Sequence, residues 1–258
     1  MTASGIPVPR EGLGAGVASE AVARERLIIA LDVSTAAEAR KLVDAVGDAA
    51  VFYKVGKQLF TAEGPQVVRD LVAGGKKVFL DLKYHDIPTT VAGAVTEAAK
   101  LGVDMLTVHA SGGGKMLRAA VEAAKARPGM AVLAVTVLTS MDDEDLGKIG
   151  VRGHVLEQVM RLAAIALADG CQGLVASARE ARALREEFSA AFSKEFGQDF
   201  QLVTPGVRPA GSAAGDQARV VTPAEAIAAG ASHVVVGRPI TGAPDPAAAA
   251  RAILVELR

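Results

Sequence analysis

Residues Val78–His109 read VFLDLKYHDIPTTVAGAVTEAAKLGVDMLTVH. Val78–Lys83 is a short apolar run of strand length with charge at its end. Val91–Leu101 carries apolar residues at helical spacing, and Gly102 follows where a helix-ending glycine belongs. Met105–His109 is a second strand-like run. A strand, a helix and a strand in this order predict a parallel βαβ unit.

Outward from that unit the same alternation repeats. Strand-like runs stand at Leu27–Asp32, Val51–Gly56, Val78–Lys83, Met105–His109, Ala131–Leu138, Gly173–Ser177, Gln201–Thr204 and His233–Gly237. Helix-like stretches lie between them, most clearly at Ala36–Val46, Pro65–Ala73, Val91–Leu101, Met116–Ala126, Val155–Ala168 and Ala178–Phe188. Gly74, Gly102, Gly129, Gly170 and Gly230 fall between a helix and the next strand. Strands strictly alternating with helices predict a parallel sheet, and eight units predict its closure into a (β/α)8 TIM barrel. The chain's 258 residues match one such barrel, with residues 26–258 as a single domain. Residues 1–25 form an N-terminal extension, flexible or helical, whose first part (1–16) is Gly- and Pro-rich and loose.

Composition narrows the function. Apolar residues make up 50% and aromatics 3%, so the core is built from Val, Leu, Ile and Ala, as suits a sheet covered on both faces. A net charge of -1 offers no basic field for a nucleic-acid backbone. No run of about 18 apolar residues predicts a membrane span, and residues 1–25 lack the pattern of a signal peptide. The expected location is the cytoplasm. Cys171 is the one cysteine, which excludes an intramolecular disulfide and a cysteine zinc cluster. A small buried thiol is its expected role.

A barrel of this kind places its active site at the C-terminal ends of the strands. There the sequence has Asp32 on strand 1, Lys54 on strand 2, and Asp81 and Lys83 on strand 3. Thr139 and Ser140 follow strand 5, Arg208 follows strand 7, and Gly237-Arg238 ends strand 8. Asp81 and Lys83, two apart on a strand, face the same side, and Leu82 faces away. Two charges aimed into an apolar barrel are costly unless paired. Lys54, Asp81, Lys83 and Asp86 can form an alternating chain of two cations and two anions. A purely structural salt-bridge network would use the same residue types, but the convergence of strand ends on one mouth favours a functional site.

The stretch Phe79–Thr90, FLDLKYHDIPTT, resembles the signature of the orotidine 5'-phosphate decarboxylase family, Asp-x-Lys-x-x-Asp on the third strand. The resemblance runs through LIIALD, YKVG, TVHASGG, VTVLTS, VTPGVRP and GDQ to VVVGRPIT, about residues 27–258. In some relatives this activity is fused to a phosphoribosyltransferase domain; with about 25 residues ahead of the barrel, no such partner is expected here.

The resemblance implies roles residue by residue. Lys83 is the implied proton donor to pyrimidine carbon 6, and Asp81 stands beside the leaving carboxylate. Lys54 and Asp86 complete the charged chain. Asp32 and Thr90 hold the ribose hydroxyls, and Thr139 and Ser140 face the ring. Gln217, Gly237 and Arg238 hold the 5'-phosphate, with Arg208 close by. A homodimer is implied, with Asp86 and Thr90 reaching the neighbouring site. The substrate is a small nucleotide, and neither metal nor cofactor takes part. The segment Arg208–Arg219, RPAGSAAGDQAR, is either an ordinary loop or a lid over phosphate.

Chemistry is consistent with these roles. Loss of carbon dioxide from this substrate leaves a carbanion in the ring plane, which the π-system cannot delocalise. Preorganised cations beside the developing charge then have to stabilise it. Related barrels, the keto-gulonate phosphate decarboxylases and hexulose phosphate synthases, share Asp-x-Lys-x-x-Asp but bind magnesium. An acidic ligand ends their second strand, where this chain has Lys54. A noncatalytic phosphate-binding barrel would have no need of the Asp81/Lys83 pair.

Several features are set aside. Ser111–Lys115 (SGGGK) lacks the spacing of a P-loop and reads as the loop and helix start after strand 4. His85, His109, His154 and His233 have no metal-ligand spacing, and His85 reads as a packing residue. Asp142–Asp145 reads as a solvated helix start.

Overall fold

The structure, a computed structural model, describes residues 15–209 and 221–258. Gln217 and most of the Arg208–Arg219 loop lie outside the described residues, as do the first fourteen residues of the expected extension.

Eight strands form a closed barrel in chain order, every neighbour parallel. They are β1 (Leu27–Ala30), β2 (Phe52–Gly56), β3 (Lys77–Tyr84), β4 (Met105–His109), β5 (Ala131–Val135), β6 (Gly173–Val175), β7 (Gln201–Pro205) and β8 (His233–Val236). β8 returns to β1 through Ile28↔Val235. The helices before and between the first strands are α1 (Ala15–Arg26), α2 (Ala36–Val46), α3 (Lys57–Glu63), α4 (Gln66–Ala73) and α5 (Pro88–Lys100). Then come α6 (Gly113–Ala124), α7 (Asp143–Lys148), α8 (Val155–Ala168), α9 (Ala181–Phe196), α10 (Pro223–Ala228), α11 (Arg238–Thr241) and α12 (Pro246–Glu256).

Alternation along each strand builds two apolar layers. Ile28, Phe52, Phe79, Met105, Leu133, Val203 and Val235 fill the barrel interior. Their sequence neighbours Ile29, Tyr53, Leu80, Leu106, Val132, Leu202 and Val234 pack outward in the larger core. Cys171 is buried in that outer core, and burial pushes its thiol up to about 12.

Local chemistry sets the helix ends. Thr35 accepts from the Glu38 amide while Glu38 reaches back to the Thr35 amide, a capping box that starts α2. Asp142 caps α7 by accepting from the Asp145 amide, so the acidic run is a helix start. After α4 the left-handed position falls on Gly75, φ 71, and not on Gly74, whose φ is -78. α9 runs eight residues past the expected end at Phe188, because ALREEFSAAFSKEF keeps its helical character until Gly197.

Candidate active site

On β2, β3 and β4 the inward row is apolar at the barrel floor and turns polar towards the mouth. On β3 the row runs Phe79, Asp81, Lys83; on β4 it runs Met105, Thr107, His109; on β2 it passes from Phe52 to Lys54. Leu82 packs in the outer core, as alternation requires.

The Lys83 ammonium donates to Asp81 Oδ1 at 2.7 Å. Lys54 Nζ lies 3.8 Å from Asp81 Oδ2 and donates to Asp32 Oδ1 at 2.9 Å. The side chains of Lys54 and Asp81 are 11% and 13% exposed, so each charge depends on its partners. The result is an alternating row, Asp32–Lys54–Asp81–Lys83, across the ends of three adjacent strands.

Within the single chain the second anion of that row is Asp32, beside Lys54. Asp86 is exposed beyond the end of β3, and its Oδ1 accepts from the Ile87 amide at 2.6 Å. Thr90 is exposed on the first turn of α5, and Ile87 between them is 64% exposed.

The other expected residues that the structure describes follow the C-terminal ends of β5, β7 and β8. Gly237 precedes α11, and a Cβ there would stand 3.6 Å from Ala30 Cβ and 3.9 Å from Asp32 Oδ2. The end of β8, with Arg238 as the first residue of α11, therefore adjoins the end of β1. Arg208 is buried, and its amide donates to Val221 O at 3.0 Å. Val207 bridges to Val221, so the two described ends of the Arg208–Arg219 region meet. β5 stops at Val135, earlier than expected, and Thr139 and Ser140 lie exposed in the turn that follows.

Three residues near the charges were not singled out from sequence. Thr107 is fully buried against Asp81 and Lys83. A side chain on Gly56 would stand 2.8 Å from Lys54 Nζ and 3.3 Å from Asp32 Oδ1, so glycine there leaves room for the ion pair. His109 packs against His85, the rings tilted by 44° with centroids 5.4 Å apart. Burial first, then the nearby His85, Lys57 and Lys83, hold its imidazole below the usual histidine range. The signal for Thr107 and His109 was available: both fall on the inward parity of a strand whose other inward residue, Met105, is apolar.

Ser111–Lys115 forms the tight turn and first residues of α6, as a loop and helix start should. Among the described residues, no group of three or more His, Cys, Asp or Glu side chains could hold a metal ion.

Comparison with known proteins gives a consistent result. The profile of the Orotidine 5'-phosphate decarboxylase / HUMPS family matches residues 25–253. The orotidine 5'-phosphate decarboxylase of Moorella thermoacetica is 52% identical over 242 residues, 91% of this chain and 93% of that protein. That of Halorhodospira halophila is 54% identical over 233 residues, covering 90% and 95%. The crystal structure of orotidine 5'-phosphate decarboxylase from Lactobacillus acidophilus superposes with a TM-score of 0.78 at 40% identity, covering 90% of this chain and 98% of that one.

Proposed function

The chain belongs to the Orotidine 5'-phosphate decarboxylase / HUMPS family, and from that premise we propose that it converts orotidine 5'-phosphate to uridine 5'-phosphate and carbon dioxide without a cofactor. This is the final step of UMP synthesis. The observation that carries the reading is the row Asp32–Lys54–Asp81–Lys83 at the barrel mouth.

In this mechanism the bond from carbon 6 to the carboxylate breaks and leaves its electron pair on carbon 6. The Lys83 ammonium stabilises that pair as it forms and then gives it a proton. The neutral amine regains its proton from solvent. Asp81 faces the substrate carboxylate and opposes it in the ground state, a contribution that ranks below transition-state stabilisation. Lys54 holds Asp81 and Asp32 in place, and Asp32 with Thr90 takes the ribose hydroxyls. Thr139 and Ser140 face the pyrimidine. Arg238, Gly237, Gln217 and Arg208 take the phosphate, in the loops after strands 7 and 8 where such barrels commonly bind it. Phosphate binding far from carbon 6 contributes to the chemical step.

Lys54 supports a metal-free reaction. Its ammonium stands between two carboxylates, where the magnesium-dependent relatives have an acidic ligand, and a cation there repels a second one. A homodimer is part of the reading. Asp86 and Thr90 are exposed, with the exposed apolar Ile87 between them, as residues completing a neighbour's site would be. A cytoplasmic location completes it; among the described residues no helix is long and apolar enough to cross a membrane.

The test follows the nucleotide's ultraviolet absorbance after the purified protein is added. We expect it to fall, with uridine 5'-phosphate as product, and to fall equally after exhaustive dialysis against EDTA. Absence of turnover sinks the reading. Turnover that EDTA abolishes and magnesium restores sinks its metal-free part.

A further inference from the structure

Thr107 has one hydroxyl and uses both of its capacities. Oγ1 accepts from the Lys83 amide at 2.9 Å and donates to Asp81 Oδ1 at 3.0 Å. A hydroxyl has one proton and two lone pairs, so both bonds form at once. Their directions are fixed, since an amide only donates and a carboxylate only accepts.

Lys83 depends on that acceptor. Leu80 pairs with Leu106 and Tyr84 with Val108, so four steps along β3 span two steps along β4. The extra residues break the ladder, and Lys83 sits at φ 53, alone among the described non-glycine residues in the left-handed region. An L residue stays there only when its surroundings hold it. Its amide still needs a partner, and the Thr107 side chain supplies one in place of a strand carbonyl. Because Asp81 Oδ1 also accepts from the Lys83 ammonium at 2.7 Å, the contacts close into a ring: Lys83 amide to Thr107, Thr107 to Asp81, Asp81 back to the Lys83 ammonium.

We propose that Thr107 is a positioning residue for the decarboxylation, locking the Lys83 backbone and the Asp81 carboxylate in register before substrate arrives. This rests on the reading that Lys83 and Asp81 carry the reaction. Preorganisation of this kind acts on the chemical step, so its loss lowers kcat more than it raises KM.

The experiment uses the full chain and orotidine 5'-phosphate, comparing wild type, Thr107→Val, Thr107→Ser and Asp81→Asn with and without Thr107→Val. Thr107→Val, near-isosteric but without a hydroxyl, should lower kcat by about 10- to 100-fold, the scale of an ångström's misplacement. KM and uridine 5'-phosphate affinity should stay within about threefold, since nothing that holds the phosphate has changed. Thr107→Ser should recover most of the loss. On the Asp81→Asn background Thr107→Val should cost clearly less than in the wild type, because of its two contacts only the one to the Lys83 amide still serves an intact partner. Unchanged kcat in Thr107→Val, equal loss in Thr107→Ser, or a full additional loss beside Asp81→Asn overturns the proposal. Should Thr107→Val fail to fold, Thr107→Ala against Thr107→Ser makes the same comparison. A wild type without turnover sinks the functional reading, whereas an active wild type beside an unimpaired Thr107→Val sinks this inference alone.

Discussion

The Lys54 ammonium lies 2.9 Å from Asp32 Oδ1, tying the end of β2 to the end of β1. Since Lys54 also reaches Asp81, the pair extends the Asp81–Lys83 contact of β3 into a row that crosses three strands. The Gly237 backbone adjoins Asp32 from the other side, which brings the proposed phosphate end of the site beside the proposed reacting end.

Lys83→Ala should abolish decarboxylation while sparing nucleotide binding. In the proposed mechanism the ammonium acts mainly in the transition state, so kcat should fall at least about 10³-fold, within the range for a lost acid or electrostatic donor. Truncation leaves Asp81 short of a cation, so folding is checked by circular dichroism. Titration with uridine 5'-phosphate measures the spared affinity. A folded variant with near-normal kcat removes Lys83 from the chemistry.

Arg238→Ala should act on binding. Arginine–phosphate contacts are charge-assisted and often bidentate. KM should rise sharply and kcat/KM should fall at least about tenfold, roughly 1.4 kcal/mol. Steady-state kinetics decide it, and an unchanged KM moves the phosphate elsewhere.

Asp86 should work across a subunit interface. Lys83→Ala and Asp86→Ala proteins, each inactive, are mixed under conditions of subunit exchange. In a two-fold dimer each heterodimer has one site with both native residues, so random pairing restores roughly a quarter of wild-type activity. If native mass spectrometry shows exchange and the mixture stays inactive, Asp86 serves its own chain.

His233 should make the fold acid-sensitive. It stands at the start of β8, edge-on to Phe52 at 6.0 Å, with its Nδ1 buried and unbonded among the described residues. Burial, then Lys77 and Arg26, lower its pKa from 6.5 to about 4. A depressed folded pKa contributes stability that is present above 6.5 and is lost as pH falls through about 4. The loss is on the order of 1–3 kcal/mol. Chemical denaturation of wild type and His233→Leu at pH 7 and pH 4 tests this. The difference in stability between the two proteins should shift towards the variant at pH 4, and parallel losses rule the histidine out as the cause.

Much of the molecule was legible in the chain because its causes are local. Strand and helix periodicities, capping pairs and glycine stops act within a few residues, so eight units in order were enough to predict a closed barrel. Period-two alternation placed Asp81 and Lys83 on one face, and the structure keeps them there, since the two extra residues of β3 preserve parity. Tertiary structure alone decided the rest. That Asp32 joins the row beside Lys54 depends on which strand ends closure sets side by side. Thr107 looks like one more residue of an apolar run; its hydroxyl gains a role only where a broken register on β3 leaves the Lys83 amide facing it. Such partners lie far apart in sequence, and no local pattern encodes the register that joins them.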